Sequence, residues 1–299
     1  MSIIENALKK ANKQGLLETN DPPIDSKQQE TIVEPLKSAT IEKPAEQEEV
    51  TVPKDNQVTI DWTLLAKEGF LDRNDTKSQL SEEFRVVKRP LVNNIQGSEI
   101  NGITRPNLIL ICSNLPGEGK TFVSINLALS IANEMDKSVL LIDADVEKPS
   151  ISKQLGIKQH PGLIEYLENE EVSFSDILLK TDLPNLNVIP AGKRHKYSTE
   201  LLSSQRMYLF ADEVSRRYKD RIVIFDSPPL LVATQAQVLA ELVGQVVLVI
   251  AAEETPQAVV NEGVAKLANC DVVMTLLNKT KRELDLYGYN YGYGNYGHP

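Results

Sequence analysis

The chain has 299 residues, 41% hydrophobic and 25% charged, which suits a globular domain with appendages. Its formal net charge of -10 argues against nucleic acid as the main partner, since nucleic-acid binders present a basic face. Two cysteines, Cys112 and Cys270, sit in apolar runs and exclude a disulfide scaffold, and no apolar run reaches the ~20 residues that a membrane span needs.

The start, MSIIENALKKANK, lacks the apolar core of a signal peptide, which predicts a cytoplasmic protein. Residues 1–18 hold a short helix, with Ser2 as cap and Ile4, Ala7, Leu8 and Ala11 on one face. Residues 19–77 read as a flexible acidic, Pro-rich linker. The part from 19 to 58 has no aromatic residue and too little apolar surface to offset its ordering entropy. Within the linker, IDWTLLAKEGFL suggests a short helix whose Trp62 packs on something.

A folded domain is predicted over 78–280. It opens with a helix capped by Ser81, with Glu82 and Glu83 at its positive end. Phe84, Val87 and Leu91 share one face, and Pro90 is expected to end or kink the helix. From residue 107 apolar runs alternate with helical stretches: NLILICS, SVLLIDAD, LNVIP, RIVIFDSPP, QVVLVIAAEE and VVMTLLNK. Runs without polar alternation are strands buried on both faces. The pattern predicts an α/β fold, a parallel central sheet with helices on both faces, and a ligand at the carboxyl ends of the strands. Residues 281–299 form a tail of Tyr, Gly and Asn that is predicted to be mobile. It holds Tyr287, Tyr289, Tyr291, Tyr293 and Tyr296, five of the nine tyrosines of the chain.

The first strand runs into SNLPGEGKT, residues 113–121. A phosphate-binding loop needs converging backbone N–H groups, a Lys for the outer phosphates and a hydroxyl for Mg²⁺. Pro116, Gly117, Glu118 and Gly119 supply the turn, Lys120 the charge and Thr121 the hydroxyl, and Phe122 follows in a helix whose N-terminus favours anions. Asn114 stands where the strict pattern has Gly; Asn tolerates the left-handed backbone better than most residues. Asp143 and Asp145 end one buried strand and Asp226 another. Carboxylates there suit a nucleotide-bound Mg²⁺, although each alone could also cap a following helix.

With these motifs in hand, residues 81–299 resemble the bacterial tyrosine autokinases of exopolysaccharide assembly, P-loop enzymes unrelated to eukaryotic protein kinases. The resemblance rests on PGEGKT, VLLIDADVEKPS, IVIFDSPPL, the C-terminal tyrosines and an E-x-x-R-x-x-[RK] helix formed by Glu82, Arg85 and Lys88. MSIIENALKKA and EEFRVVKRPL are similar to the subgroup tied to exosortase-type loci. The resemblance implies that Lys120 and Thr121 hold ATP·Mg²⁺, that Asp145 and Asp226 position the metal, and that Asp143 accepts the proton of an incoming tyrosine. The five tail tyrosines would be the acceptors, with the tail of one subunit entering the site of the next. Glu82, Arg85 and Lys88 would contact a neighbouring subunit in a ring. Asn278 would meet the purine edge; a plain turn Asn is the alternative. A separate membrane-embedded polysaccharide co-polymerase would recruit the protein to the inner membrane and activate it, and a protein-tyrosine phosphatase would oppose it. Glu147 departs from the family, which often carries Arg there; Lys148 follows it.

Two other readings stand beside this one. A MinD/ParA-like positioning ATPase shares the motifs but usually carries a second Lys in its loop, where this chain has Leu115. A non-catalytic ATP-binding scaffold is hinted at by Glu147 alone.

Overall fold

The computed structural model describes residues 56–73, 77–97, 102–134, 136–217 and 221–281. The predicted N-terminal helix, most of the linker and the five tail tyrosines lie outside these residues.

The chain enters through β1 (Gln57–Val58), α1 (Trp62–Lys67) and α2 (Gln79–Gln96). Then come β2 (Leu108–Ser113), α3 (Lys120–Ala132), β3 (Ser138–Asp143), α4 (Ile151–Gln154), α5 (Leu163–Glu168) and α6 (Phe174–Ile177). Next are β4 (Leu179–Thr181), β5 (Leu186–Ile189), α7 (Ser198–Leu202), α8 (Gln205–Arg217), β6 (Arg221–Asp226) and α9 (Thr234–Ala240). β7 (Gln245–Ala251), α10 (Gln257–Lys266) and β8 (Val272–Asn278) complete it. The eight strands form one sheet in the order β1-β4-β5-β3-β6-β2-β7-β8. Every pair is parallel except β4 with β5. This is the P-loop NTPase-like architecture expected from the sequence, with one antiparallel pair that the apolar runs did not announce.

Alternation along the strands explains why the central runs are wholly apolar. Leu108, Leu110, Cys112, Val223 and Phe225 face one core; Ile109, Ile111, Ile222 and Ile224 face the other. α3 covers the second core and is buried along nearly its whole length.

Residues 56–73 correct the predicted linker, because they belong to the fold. Asn56 Nδ2 donates to the carbonyls of Ser175 and Asp176, both at 3.0 Å. Asp182 accepts from the Ile60 N–H at 2.9 Å and from Trp62 Nε1 at 2.8 Å. Leu65, Phe70 and Leu71 are buried in the second core. The polar composition upstream hid six large apolar side chains between Ile60 and Leu71.

α2 carries one further correction and narrows one expectation. Its cap is Ser78, whose side chain accepts the Ser81 N–H at 3.0 Å, so Ser81 lies buried inside the first turn. Pro90 does not end the helix, which runs on to Gln96. A proline removes the hydrogen bond to the carbonyl four residues earlier. Here that carbonyl belongs to Val86, which is 73% exposed, so water can satisfy it. Phe84 and Leu91 are buried as predicted, and Val87 packs beside them.

Leu65 tests whether the first segment is structural. Leu65→Ala should lower stability by about 2–5 kcal/mol in urea unfolding, the range for a fully buried Leu. A residue in a linker would change it by no more than about 0.5 kcal/mol.

Candidate active site

The site lies where the ends of β2, β6 and β3 meet. Register places Ile111 opposite Asp226, and Asp226 opposite Asp143. The loop after β2 is therefore next to the Asp226 strand end, and Asp143 is one strand further. Gly117 and Gly119 have φ of +87° and +95°, the left-handed turn that delivers the chain into α3.

Lys120 Nζ pairs with Asp145 Oδ2 at 2.8 Å, and both side chains are largely buried. Thr121 Oγ1 donates to Asp226 Oδ2 at 2.7 Å and lies 3.0 Å from Ser150 Oγ. Ser124 Oγ, one turn along α3, lies 3.0 Å from Asp226 Oδ1. Asp143 Oδ2 accepts the N–H groups of Ser150 and Ile151, both at 3.0 Å, at the start of α4. Asp143 Oδ1 is buried without a hydrogen-bond partner. The structure thus brings Lys120, Thr121, Asp143, Asp145 and Asp226 together in one connected cluster.

Two carboxylates side by side in a buried site cannot both ionise freely. Burial, then the neighbouring Asp226 charge, pushes the Asp143 carboxyl up to about 8, against the pull of the Ile151 and Ser150 N–H groups. Asp226 is also raised by burial, opposed by Lys120, Thr121 and Ser124. Burial alone would lower the Lys120 ammonium; Asp226 and Asp145 more than offset it and hold it above its ordinary value.

The rest of the loop departs from the sequence reading in detail. The Glu118 carboxylate turns away from the turn into the protein, where it accepts the Leu115 N–H and the Thr255 hydroxyl. It braces the loop against the segment after β7. The Phe122 ring packs on Phe70 at 5.1 Å and Phe84 at 6.4 Å. Asn114 is not left-handed: its side chain is buried against Gly263 of α10, where an added Cβ would lie 1.7 Å from Asn114 Oδ1. Asn278 Nδ2 donates to the Glu118 carbonyl at 2.9 Å and occupies the space of a Gly119 side chain, 2.0 Å from an added Cβ. Asn278 also lines a cavity of about 690 Å³ with Phe84, Val87, Phe122 and Leu276.

The three helix residues read as subunit contacts divide. Glu82 and Arg85 pair with each other at the surface. Lys88 reaches Glu134 at 2.7 Å and the Ser130 carbonyl at 2.9 Å, clamping α2 to the end of α3 within the chain. Glu147, at the unusual position, accepts the hydroxyl of the buried Ser198 at the start of α7.

Sequence reasoning missed Ser124 and Ser150. Ser124 was findable, since it stands three residues after Thr121 on the same helix face. Ser150 was not, because it arrives through the turn that follows Asp145. Among the described residues, no group of three or more His, Cys, Asp and Glu side chains forms a metal cage. No helix there is long and apolar enough to cross a membrane.

The AAA domain family matches residues 107–286. EpsB of Ralstonia nicotianae is 33% identical over 192 residues, which are 64% of this chain and 25% of that one. The tyrosine-protein kinase YwqD of Bacillus subtilis is 32% identical over 196 residues, 66% of this chain and 78% of that one. The crystal structure of the VpsO kinase domain is similar with a TM-score of 0.52 and 31% identity, covering 67% of this chain and 99% of that one. The chain spans about a quarter of the length of the first curated relatives it matches.

The raised Asp143 has a measurable consequence for the ligand-free protein. Its folded state holds a proton that the unfolded chain has released above about pH 4. This contribution to stability is complete below that pH and is lost as pH rises through about 8. Asp143→Asn should therefore melt higher than wild type at pH 8.5, by roughly 2–8 °C for about 1–2 kcal/mol, with the gap closing at pH 5. Thermal melts without nucleotide at the two pH values check this.

Proposed function

Because the chain belongs to the AAA domain family and, with YwqD, to the bacterial tyrosine-protein kinases, we propose that it transfers the γ-phosphoryl group of ATP to tyrosines of its own C-terminal cluster, in trans. The observation that carries this reading is the single bonded cluster of Lys120, Thr121, Asp143, Asp145 and Asp226 at three adjacent elements' ends.

These residues fit a magnesium nucleotide. Two left-handed glycines lead into the N-terminus of a 13-residue helix, a ready anion site. Asp143 Oδ1 is buried with no partner, and Asp226 is already joined to the Thr121 hydroxyl. Thr121, Asp145 and Asp226 would hold Mg²⁺, directly or through water, and the ion would neutralise phosphate charge. The turn from Pro116 to Gly119 would cradle phosphates with its N–H groups. Lys120, paired with Asp145 in the free protein, would turn to the outer phosphates. The cavity beside Phe122 and Asn278 is of a size that suits the nucleoside.

Phosphoryl transfer depends mainly on alignment and charge stabilisation. A phenol with a pKa near 10 needs a base as it attacks. Asp143 would take the phenolic proton while the tyrosine oxygen bonds to the γ-phosphorus. The bond from that phosphorus to the β–γ bridging oxygen breaks, and ADP leaves with the electron pair. Burial and the Asp226 charge raise that carboxyl in the free protein, so it would act as a base only once a bound cation favours its ionised form.

The acceptors would be Tyr287, Tyr289, Tyr291, Tyr293 and Tyr296. Subunits would meet through Glu82 and Arg85, with Lys88 supporting the helix from within. Each phosphate adds about -1.5 to -2 of charge, and several on a chain at -10 would loosen a ring. A separate membrane-embedded co-polymerase would recruit and activate the protein at the inner membrane, a phosphatase would reset it, and the cycle would regulate exopolysaccharide polymerisation and export.

Mass spectrometry of the C-terminal peptide after Mg·ATP treatment tests the reading. Wild type should carry phosphotyrosine, Lys120→Met none, and Asp226→Asn at least about a hundredfold less per unit time. ATP turnover with an unlabelled tail would refute the autokinase. Size-exclusion elution should shift to smaller species on phosphorylation; identical elution would remove the ring cycle.

A further inference from the structure

The loop between β5 and α7 reads Gly192-Lys193-Arg194-His195-Lys196-Tyr197, a concentrated cationic stretch in a chain of net charge -10. It leaves the sheet beside the site, since Ile189 at the end of β5 is the register partner of Ile142, next to Asp143. It returns to the site at Ser198, bonded to Glu147, two residues beyond Asp145.

The loop is built rather than loose. Gly192 has φ +87°, and an added Cβ there would lie 1.9 Å from Glu165 Oε2. Glu165 Oε1 accepts the Lys193 N–H at 2.9 Å. Glu168 takes both Lys193 Nζ at 2.6 Å and His195 Nε2 at 3.3 Å. His195 Nδ1 accepts the Tyr197 N–H at 3.1 Å. Lys196 Nζ lies 5.1 Å from the centre of the Tyr197 ring. Glu168 thus takes Lys193 and His195, whereas Arg194 and Lys196 are exposed and have no carboxylate partner among the described residues.

Resting on the kinase reading above, we propose that Arg194 and Lys196 dock the acceptor segment by pairing with acidic residues that precede its tyrosine. In a second copy of this chain those residues are Glu283 and Asp285, four and two positions before Tyr287. In an extended chain, alternate residues project to one side, so both acids and the phenol would share a side. Four residues span about 13 Å, which keeps the acids off the carboxylates of the site while the phenol reaches it. The site's own acids would repel Glu283 and Asp285; the loop supplies the attraction beside them.

The test uses full-length chains. The enzyme carries Phe at positions 287, 289, 291, 293 and 296, and the acceptor carries Lys120→Met. Arg194→Glu with Lys196→Glu in the enzyme should raise KM for the acceptor about five- to tenfold and leave kcat within about twofold. Glu283→Lys with Asp285→Lys in the acceptor should do the same, and combining both reversals should restore KM. Raising NaCl to about 0.3 M should weaken the unreversed pair and not the singly reversed ones. Unchanged KM, or no rescue by the combination, overturns the docking role while leaving the kinase intact. So does a loss of binding to phosphatidylglycerol vesicles at unchanged KM, which would make the loop a lipid contact. If the unreversed enzyme labels no acceptor at all, the kinase reading fails and the docking role with it.

Discussion

Asp143 and Asp226 are register partners on neighbouring parallel strands, so the backbone itself forces two carboxylates into one buried place. Left alone, that arrangement would be strongly unfavourable. The surrounding structure supplies what offsets it: the Lys120 ammonium, the Thr121 and Ser124 hydroxyls, and two N–H groups from the start of α4. Each compensating group sits on an element whose course is set by the sheet order. β2 must lie beside β6 for Thr121 and Ser124 to reach Asp226, and β3 must lie beyond it for Asp143 to stand one place further. Compensation is incomplete at Asp143 Oδ1, where a proton or a cation could be received.

A second layer keeps the loop in shape. Glu118 joins it to Thr255 after β7, Asn278 at the end of β8 closes on the Glu118 carbonyl, and Asn114 fills the space that Gly263 leaves open. All three contacts come from the side of the sheet opposite Asp143. The phosphate loop is therefore held from one flank by neutral and acidic braces and from the other by its own cation on Asp145. Because Asn278 bonds the Glu118 carbonyl and fills the space beside Gly119, a change at Gly119, Asn278 or Glu118 should be felt at the other two.

The strands, the loop and its acids were legible because buried parallel strands leave unbroken apolar runs, and a carboxylate ending such a run is conspicuous. The compensating serines were not, since a hydroxyl on a helix or turn carries no mark of the partner it will find. In residues 56–73 the short helix and the packing of Trp62 were legible, but membership of the fold was not, because composition is averaged over a window and Leu65 and Phe70 follow closely on a long polar stretch. Pro90 lies inside α2 without ending it, because its effect depends on whether the orphaned carbonyl meets water, which only the surroundings of Val86 decide. Lys88 was implied to contact a neighbouring subunit, and its pairing with Glu134, 46 residues further along the chain, carries no mark in the local sequence. Asn114 matched a backbone argument for its position but serves a packing role with Gly263, far along the chain.

The reversed polarity of the two shortest strands has a geometric outcome. β4 runs against β5, and β1 runs with β4, so the first strand points opposite to the body of the sheet. The polypeptide consequently arrives at Gln57 from the rim that bears the Lys120–Asp226 cluster, and it departs past Asn278 on that same rim. Seven spacings of about 4.8 Å part these two gates, roughly 34 Å measured across the sheet. Entry and exit therefore flank the cluster on one rim, so the opposite rim of the sheet is left clear of both chain ends of the fold.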